Sequence, residues 1–393
     1  MPLLDIPLAA SADKAIHRLA RATGAPAHAT LDGNTLIGER AALAGMTIAG
    51  RRSAGGGCML FDAIGGAVAL NLARPADREL LPALFASDAL DPQAETAIAD
   101  HVGRCDGGAL VERGRSMGLA IAFEYEAIAP AHPIVRLADG MRAAPPFRKP
   151  RIIDLSALWA GPLAAHLLWL AGADVVKVES RTRPDAMRDG DAPFFALLNQ
   201  GKASVVIDFA DPADRTALLA LIATSDIVIE AARPRALAQL GIDAAAIVRA
   251  TPGLVWITIT GHGAAGEAAD WVGFGDDCGV AAGLSAALHS ACGQAGFVGD
   301  AIADPLTGIA AAQIAWEAWS KGDGGRYGVA MRQVAAGHLA EAQAADPIAL
   351  AAALSAWNAA QGQPFPEVVR RAARPARPFG ADTHSRLAAV ASC

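Results

Sequence analysis

The sequence has no paired-cysteine motif. Its five cysteines, Cys58, Cys105, Cys278, Cys292 and Cys393, are scattered. An odd, dispersed set fits a reducing cytoplasm and offers no metal cluster by spacing. The nine histidines show no H-x-x-x-H pair beside a carboxylate, so no metal site is expected. No apolar run reaches the roughly 18 residues that a membrane helix needs. The closest, 157–176, is interrupted by Pro162, His166 and Asp174. Residues 1–25 carry Asp5, Asp13, Lys14, His17 and Arg18 where a secretory leader would be apolar. The expectation is a cytoplasmic chain with no membrane partner. An excess of positive charge is also missing. The net charge is −7, which speaks against nucleic acid as a partner. Arg181, Arg183 and Arg188 still form a local cluster, as do Arg370, Arg371, Arg374 and Arg377, and these face either solvent or an anion.

What is present is an ordered chain. Its 393 residues are 53% hydrophobic and 19% charged, enough for two or three domains with real cores. Residues 151–179 read RIIDLSALWAGPLAAHLLWLAGADVVKVE: a buried strand, a turn with Pro162 near the first helical position, an apolar helix, Gly172 near its end, and a second strand. This is one β-α-β unit. The alternation continues through SVVID, a helix at 212–224, DIVIE, a helix at 235–249 and LVWITIT, which predicts a doubly wound α/β sheet. Before it lies a block of different character. Gly55–Gly57 precede a strand at 58–61, Ile64-Gly65-Gly66 signals a hairpin, and helices and a closing strand follow to 124. The expected organisation is a helical segment at 1–35, a smaller α+β domain at 36–126, a Pro-rich linker at 127–150, a Rossmann-like domain at 151–340 and a returning tail at 341–393. The stretch from Gly263 to about 303 reads as small and glycine-rich, followed by a long helix at 305–319.

Three familiar phosphate or nucleophile motifs are absent: a G-x-G-x-x-G after the first strand of the sheet, a P-loop and a G-x-S-x-G elbow. The first absence disfavours a nicotinamide or flavin enzyme, because the dinucleotide pyrophosphate needs close backbone approach at that turn.

Five segments in order resemble the family III CoA-transferases: RIIDLSALWAGPLAAHLLWLAGADVVKVES, LLNQGKASVVIDFADPADRTALLALIATSDIVIEAARPRALAQLGID, WITITGHGAAG, VGDAIADPLTGIAAAQIAWEAW and KGDGGRYGVAM. Together they cover about half of the chain. The resemblance implies an acyl-CoA and a carboxylic acid as partners, coenzyme A as substrate with no tightly bound cofactor, and an interlocked homodimer. It implies that Asp304 is the catalytic carboxylate, passing through a mixed anhydride and an aspartyl-CoA thioester. The residue types agree: a desolvated, oriented carboxylate is a nucleophile, and Asp304 sits by small residues and a helix N-terminus, whose partial charge favours its ionised form. The alternative for Asp304 is a plain helix cap.

The segment SAGGGCMLFDAIGGAVALNLARP resembles the family's glycine loop and the strands after it, here placed before the α/β domain. Gly55, Gly56 and Gly57 are therefore expected to close over the site. Lys177, Arg181, Lys202 and Arg233 follow strands, where open α/β sheets bind ligands, and are candidates for the CoA phosphates. Trp159 stands where formyl-CoA transferase has a functional glutamine. Gly273-Phe274-Gly275 replaces the Gly-His-Asp of the racemase members, which disfavours proton exchange, and His262 nearby occupies a position that is usually aromatic. Two alternatives remain beside a CoA-transferase: an acyl-CoA racemase or isomerase of the same family, and a non-catalytic CoA-binding paralogue.

Overall fold

A computed structural model describes residues 4–126, 133–232 and 234–391. Ten strands form two sheets. β1 (Cys58–Ala63), β2 (Gly66–Asn71) and β3 (Ala120–Phe123) make an antiparallel meander. The remaining seven are β4 (Ile134–Asp139), β5 (Arg151–Asp154), β6 (Asp174–Ser180), β7 (Ala203–Ile207), β8 (Ile227–Glu230), β9 (Val255–Thr260) and β10 (Gly325–Ala330). Their order is β4-β10-β9-β8-β5-β6-β7, parallel except for the β4 edge. From β5 the chain winds outward through β6 and β7, returns to the far side of β5, and winds outward again through β8, β9 and β10. That is the Rossmann order, and its switch point lies between β5 and β8.

The central strands are buried on both faces and mainly apolar, as a sheet covered on two faces requires. Ile152, Val228, Trp256 and Ile257 are all buried. One face is covered by two packed helices, Ala160–Leu170 and Ala303–Ser320, whose sequences are apolar almost all round because neighbours surround them. The other face carries helices including Pro212–Ala223 and Ala244–Ala250 over a second cluster built on Val205, Leu218 and Val248.

Two expectations need correction. The 127–150 stretch is more than a linker: Ile134–Asp139 is β4, paired antiparallel with β10. Its alternating Ile134, Arg136 and Ala138 fit an edge strand, a pattern obscured by the surrounding prolines. (Residues 127–132 lie outside the described residues.) The small unit also begins later than 36. The helix Gly33–Ala44, started by Asp32 accepting from the Thr35 N–H at 2.8 Å, buries Leu36 and Ile37 in the same core as Leu163 and Ile309. So does the helix Ala9–Thr23 through Ile16 and Leu19. The meander and its helices build a core of their own, around Leu70, Leu81, Val111 and Ile121. The tail returns to the sheet: the Ser204 N–H donates to Asp382 at 2.9 Å.

No helix of the described residues is long and apolar enough to cross a membrane.

Candidate active site

A cleft of about 230 Å³ opens where the parallel strands end. Its walls come from the segments after four strands: Ala157 and Leu158 after β5, Ala231 after β8, Gly261 after β9 and Met331 after β10. This is the crevice that the switch point creates. Trp271 and Phe274 close one side, Arg74 reaches in from the small unit, and Asp304 lies in the floor.

Asp304 is in the first turn of the helix Ala303–Ser320, and no side-chain cap bond is made there, so it is not a plain N-cap. Its half-buried carboxylate lies by the backbone N–H of Ala160 at the start of the facing helix, which favours the ionised form. Gly275 is packed so tightly against it that a Cβ there would stand 2.2 Å from Asp304 Oδ2. Loss of water pushes the Asp304 pKa up to about 7, the Arg40 guanidinium opposes the rise, and Asp276 and Asp300 add to it. The expectation that the helix terminus favours an ionised carboxylate is thus outweighed by desolvation and like charge.

The residues around Asp304 come from three distant stretches. Arg40, on the helix Gly33–Ala44, grips Asp300 with two hydrogen bonds, the Nε one at 2.8 Å, and stacks 5.2 Å from the Trp159 ring. Asp276 accepts the Ala301 N–H at 3.0 Å, and the Ser53 hydroxyl beside it favours its ionised form. Burial and the neighbouring Asp300 push its pKa up to about 7 as well. The glycine segment lies against this group: a Cβ on Gly55 would be 3.0 Å from Arg40 Nη2, and one on Gly57 2.9 Å from the Ala73 methyl. Gly56 holds φ at 77°, where a side chain is strained.

Arg40, Asp276 and Asp300 were not singled out in the sequence. Asp300 and Asp304 stand four apart, a spacing that could have flagged them. Arg40 carried no local signal.

Other candidates take different places. Lys177 is buried, with Nζ donating to Ser156 O and Asp185, both at 2.9 Å. Asp185 in turn accepts the N–H of Leu158, a non-glycine residue at φ 67°. Lys177 therefore braces the strained turn beneath the cleft. Lys202 is equally buried, with Nζ on Asp154, Pro162 O and Asn199. Burial lowers the Lys202 pKa to about 8, while burial raises and the two lysines more than offset the rise for Asp154, which falls. With their N–H groups engaged inside the protein, neither lysine presents itself to a phosphate. Trp159 is buried against Phe194 and Arg40 and does not line the cleft. Arg181 is exposed at the C-terminal end of β6, with only a 3.8 Å contact to Asp214. Arg233 lies outside the described residues.

His262 is fully buried behind Gly273. Arg115 Nη2 donates to its Nδ1 at 3.2 Å, which places the ring proton on Nε2, facing Asp277 Oδ2 at 3.3 Å. Cys278 Sγ completes a trio whose ligand atoms fall within 4.8 Å of one another. A metal at this trio would need a lone pair on Nε2, but with Arg115 donating to Nδ1 that nitrogen carries the ring proton. Burial pushes the Cys278 thiol well above its ordinary pKa, so a thiolate ligand is disfavoured too.

A Rossmann-order sheet with a carboxylate at its switch point defines an α/β ligand-binding protein. The profile of CoA-transferase family III matches residues 149–365, and the chain belongs to that family. Among its relatives, succinate–glutarate CoA-transferase of Agrobacterium fabrum is 32% identical over 186 residues, covering 44% of this chain and 46% of that protein. Formyl-CoA:oxalate CoA-transferase of Afipia carboxidovorans is 32% identical over 120 residues, covering 29% and 28%. The chain thus spans less than half the length of these curated relatives. A crystal structure of a hypothetical protein from Mycobacterium tuberculosis aligns with a TM-score of 0.46 at 28% identity, over 52% of this chain and 61% of that one.

Proposed function

We propose that this protein moves CoA from an acyl-CoA to a carboxylic acid, with Asp304 as the nucleophile. The observation that carries the reading is Asp304 itself, a carboxylate in the floor of the switch-point cleft with a pKa near 7. Such a group is ionised in useful amount at neutral pH and more basic than an ordinary aspartate, which favours attack. One Oδ adds to the thioester carbonyl and CoA leaves as thiolate, giving a mixed anhydride. The thiolate then attacks the aspartyl carbonyl, releasing the donor acid and leaving an aspartyl-CoA thioester. The acceptor carboxylate attacks that carbonyl and expels the thiolate. The second mixed anhydride is resolved when the thiolate attacks the acceptor's acyl carbon, which frees Asp304. The Ala160 N–H is placed to stabilise charge on the carboxyl oxygen as it develops.

The succinyl and glutaryl groups named for relatives are the first substrates to try. Arg74 is the cation among the residues lining the cleft; its Nε and Nη2 are bound to Asp77, which leaves Nη1 for a second carboxylate of an acid. Arg181 is the best-placed candidate for the CoA phosphates. Proton exchange has less support, because His262 is sealed behind Gly273 rather than open to the cleft. We also infer a homodimer: Phe147 is fully exposed on the extended stretch before β5, as is most of Ile348, and a second copy would cover such side chains.

The test is mass spectrometry of the intact protein and its peptides after incubation with a pool of acyl-CoAs that includes succinyl-CoA. A CoA-sized adduct on the peptide holding Asp304, absent in Asp304→Asn, is expected. CoA binding without any adduct from a broad pool would overturn the reading in favour of a non-catalytic protein.

A further inference from the structure

The glycine segment and Asp304 are some 250 residues apart in sequence, and one side chain stands between them. Asp276 Oδ1 accepts the Ala301 N–H at 3.0 Å. Ala301 is a non-glycine residue at φ 41°, and its carbonyl accepts the Asp304 N–H at 2.9 Å. That left-handed turn sets the direction in which residue 304 enters its helix. A strained backbone of this kind persists only when its surroundings hold it, and the bond from Asp276 is such a hold. On its other side stands the hydroxyl of Ser53, which favours the ionised form of the Asp276 carboxyl. Ser53 is buried and is the hub of the glycine segment: its N–H donates to Cys58 O at 2.9 Å, its carbonyl accepts from Gly56 at 2.8 Å, and its Oγ accepts from Cys58 at 3.1 Å. Ser53 therefore has its hydroxyl proton aimed at Asp276 and its other polar groups committed to the loop.

We infer that Asp276 is a positioning residue, which fixes the aim of Asp304 through the Ala301 turn and ties that aim to the seating of segment 53–57 through Ser53. It does not line the cleft, so it acts on substrate only through Asp304. The charged and titratable groups around it are Asp300 on the preceding turn, Arg40 from the helix Gly33–Ala44, Cys58 from β1, its neighbour Asp277 and Asp304 itself. The inference rests on the transferase reading for its kinetic test, and a titration independent of turnover separates the two.

Three variants read it. Asp276→Asn keeps an oxygen for the Ala301 N–H and removes the charge. Its turnover should stay within about tenfold of the parent, with the acid limb of the pH–rate profile moved about one unit lower because a like charge beside Asp304 is gone. Asp276→Ala removes the hold on the turn. Its kcat should fall about a hundredfold, with KM for the acyl-CoA nearly unchanged, the signature of a misaimed nucleophile. Ser53→Ala should lower kcat in the same direction and by less, again without a change in KM. The titration of the Asp304 carboxyl carbon, followed by NMR in protein labelled at aspartate and assigned by its absence in Asp304→Asn, should move to lower pH in Asp276→Asn. If Asp276→Asn leaves both the titration and the pH limb in place, or Asp276→Ala raises KM and spares kcat, the inference is overturned. If the parent shows no turnover while the titration still moves, the proposed function fails and the coupling of Asp276 to Asp304 stands.

Discussion

The carboxylate proposed to do the chemistry is also one the fold holds at a cost, and replacing it should make the protein more stable above neutral pH. The folded-state pKa of Asp304 is about 7 against an ordinary 3.8. Between those values the native chain binds a proton that the unfolded chain has released, so its stability falls as pH rises. The stabilising protonated form is fully present below about pH 4 and lost as pH passes through 7. A move from 3.8 to about 7 has a ceiling of about 4 kcal/mol at about 1.4 kcal/mol per pH unit. Relaxation of the cleft and the water that reaches a half-buried group bring the expected gain of Asp304→Asn to about 2 kcal/mol at pH 8.5. At about 2.1 cal/mol/K of unfolding entropy per residue, a chain of 393 residues converts that to a rise of about 2.5 °C in the thermal midpoint. At pH 4.5, little above the ordinary value of the unfolded carboxyl, most of that difference should be gone, leaving about 0.5 kcal/mol. The assay is differential scanning fluorimetry or calorimetry of both proteins across this pH range, with CoA-adduct formation followed in parallel. A variant no more stable than the parent at pH 8.5, or equally stabilised at both pH values, would refute the claim that burial and neighbouring carboxylates strain Asp304.

The same titration predicts the acid limb of kcat/KM: activity should rise with pH through about 7, as the free protein's Asp304 ionises, and Arg40→Met should move that limb to higher pH by removing the cation that opposes protonation; a flat profile from pH 5.5 to 8.5 would contradict both. Gly275→Ala places a methyl 2.2 Å from Asp304 Oδ2 and 2.3 Å from Ala301 O, so turnover should fall about a hundredfold and stability by about 1–3 kcal/mol, measured by steady-state kinetics and urea unfolding. Lys202→Ala leaves Asp154 buried without its partner and should cost about 3–5 kcal/mol, whereas Arg181→Ala should change stability by less than about 0.5 kcal/mol and raise KM for acyl-CoA; the reverse pattern would restore Lys202 as the phosphate ligand.

The parallel sheet was legible because its strands are short, apolar and β-branched, and because helices with their own start signals separate them. VVKVE falls within its strand, and IIDL, SVVID, DIVIE and LVWITIT each miss theirs by one residue. The features missed share a cause. Alanine and glycine give weak periodicity, so the glycine-rich stretch after Gly263 concealed the helices Gly275–Ala281 and Leu284–Cys292. Prolines around β4 masked an edge strand whose one free side tolerates them. Lys177 and Lys202 were read as following strands, but Lys177 lies inside β6 and Lys202 just before β7, away from the strand ends that face a ligand. Here both turn inward, because Asp154 and Asp185 are buried and need cations. Asp304 was found through a motif. Its environment could not be, since Arg40 and Ser53 reach it only through packing between segments far apart in sequence.

That packing explains how one carboxylate becomes different from its neighbours. Three aspartates, 276, 300 and 304, share a single guanidinium. Arg40 is committed to Asp300 through a two-pronged contact, the geometry in which a guanidinium is most effective. Asp276 and Asp304 receive only its more distant field, and both rise to about 7. Asp276 is turned away from the cleft and held by Ser53 and Ala301, while Asp304 faces the cleft with Gly275 at its back. The group that titrates near neutrality and can also touch substrate is thus Asp304. The arrangement needs Arg40 and Ser53 from the N-terminal third, Asp276 from the glycine-rich stretch and Ala301 from the turn before the helix. All of them come from the same chain. The placement of the glycine segment ahead of the α/β sheet, rather than after it, therefore does not prevent it from reaching the nucleophile: the helix Gly33–Ala44 packs into the core beneath Asp304 and carries the segment that follows it to the cleft.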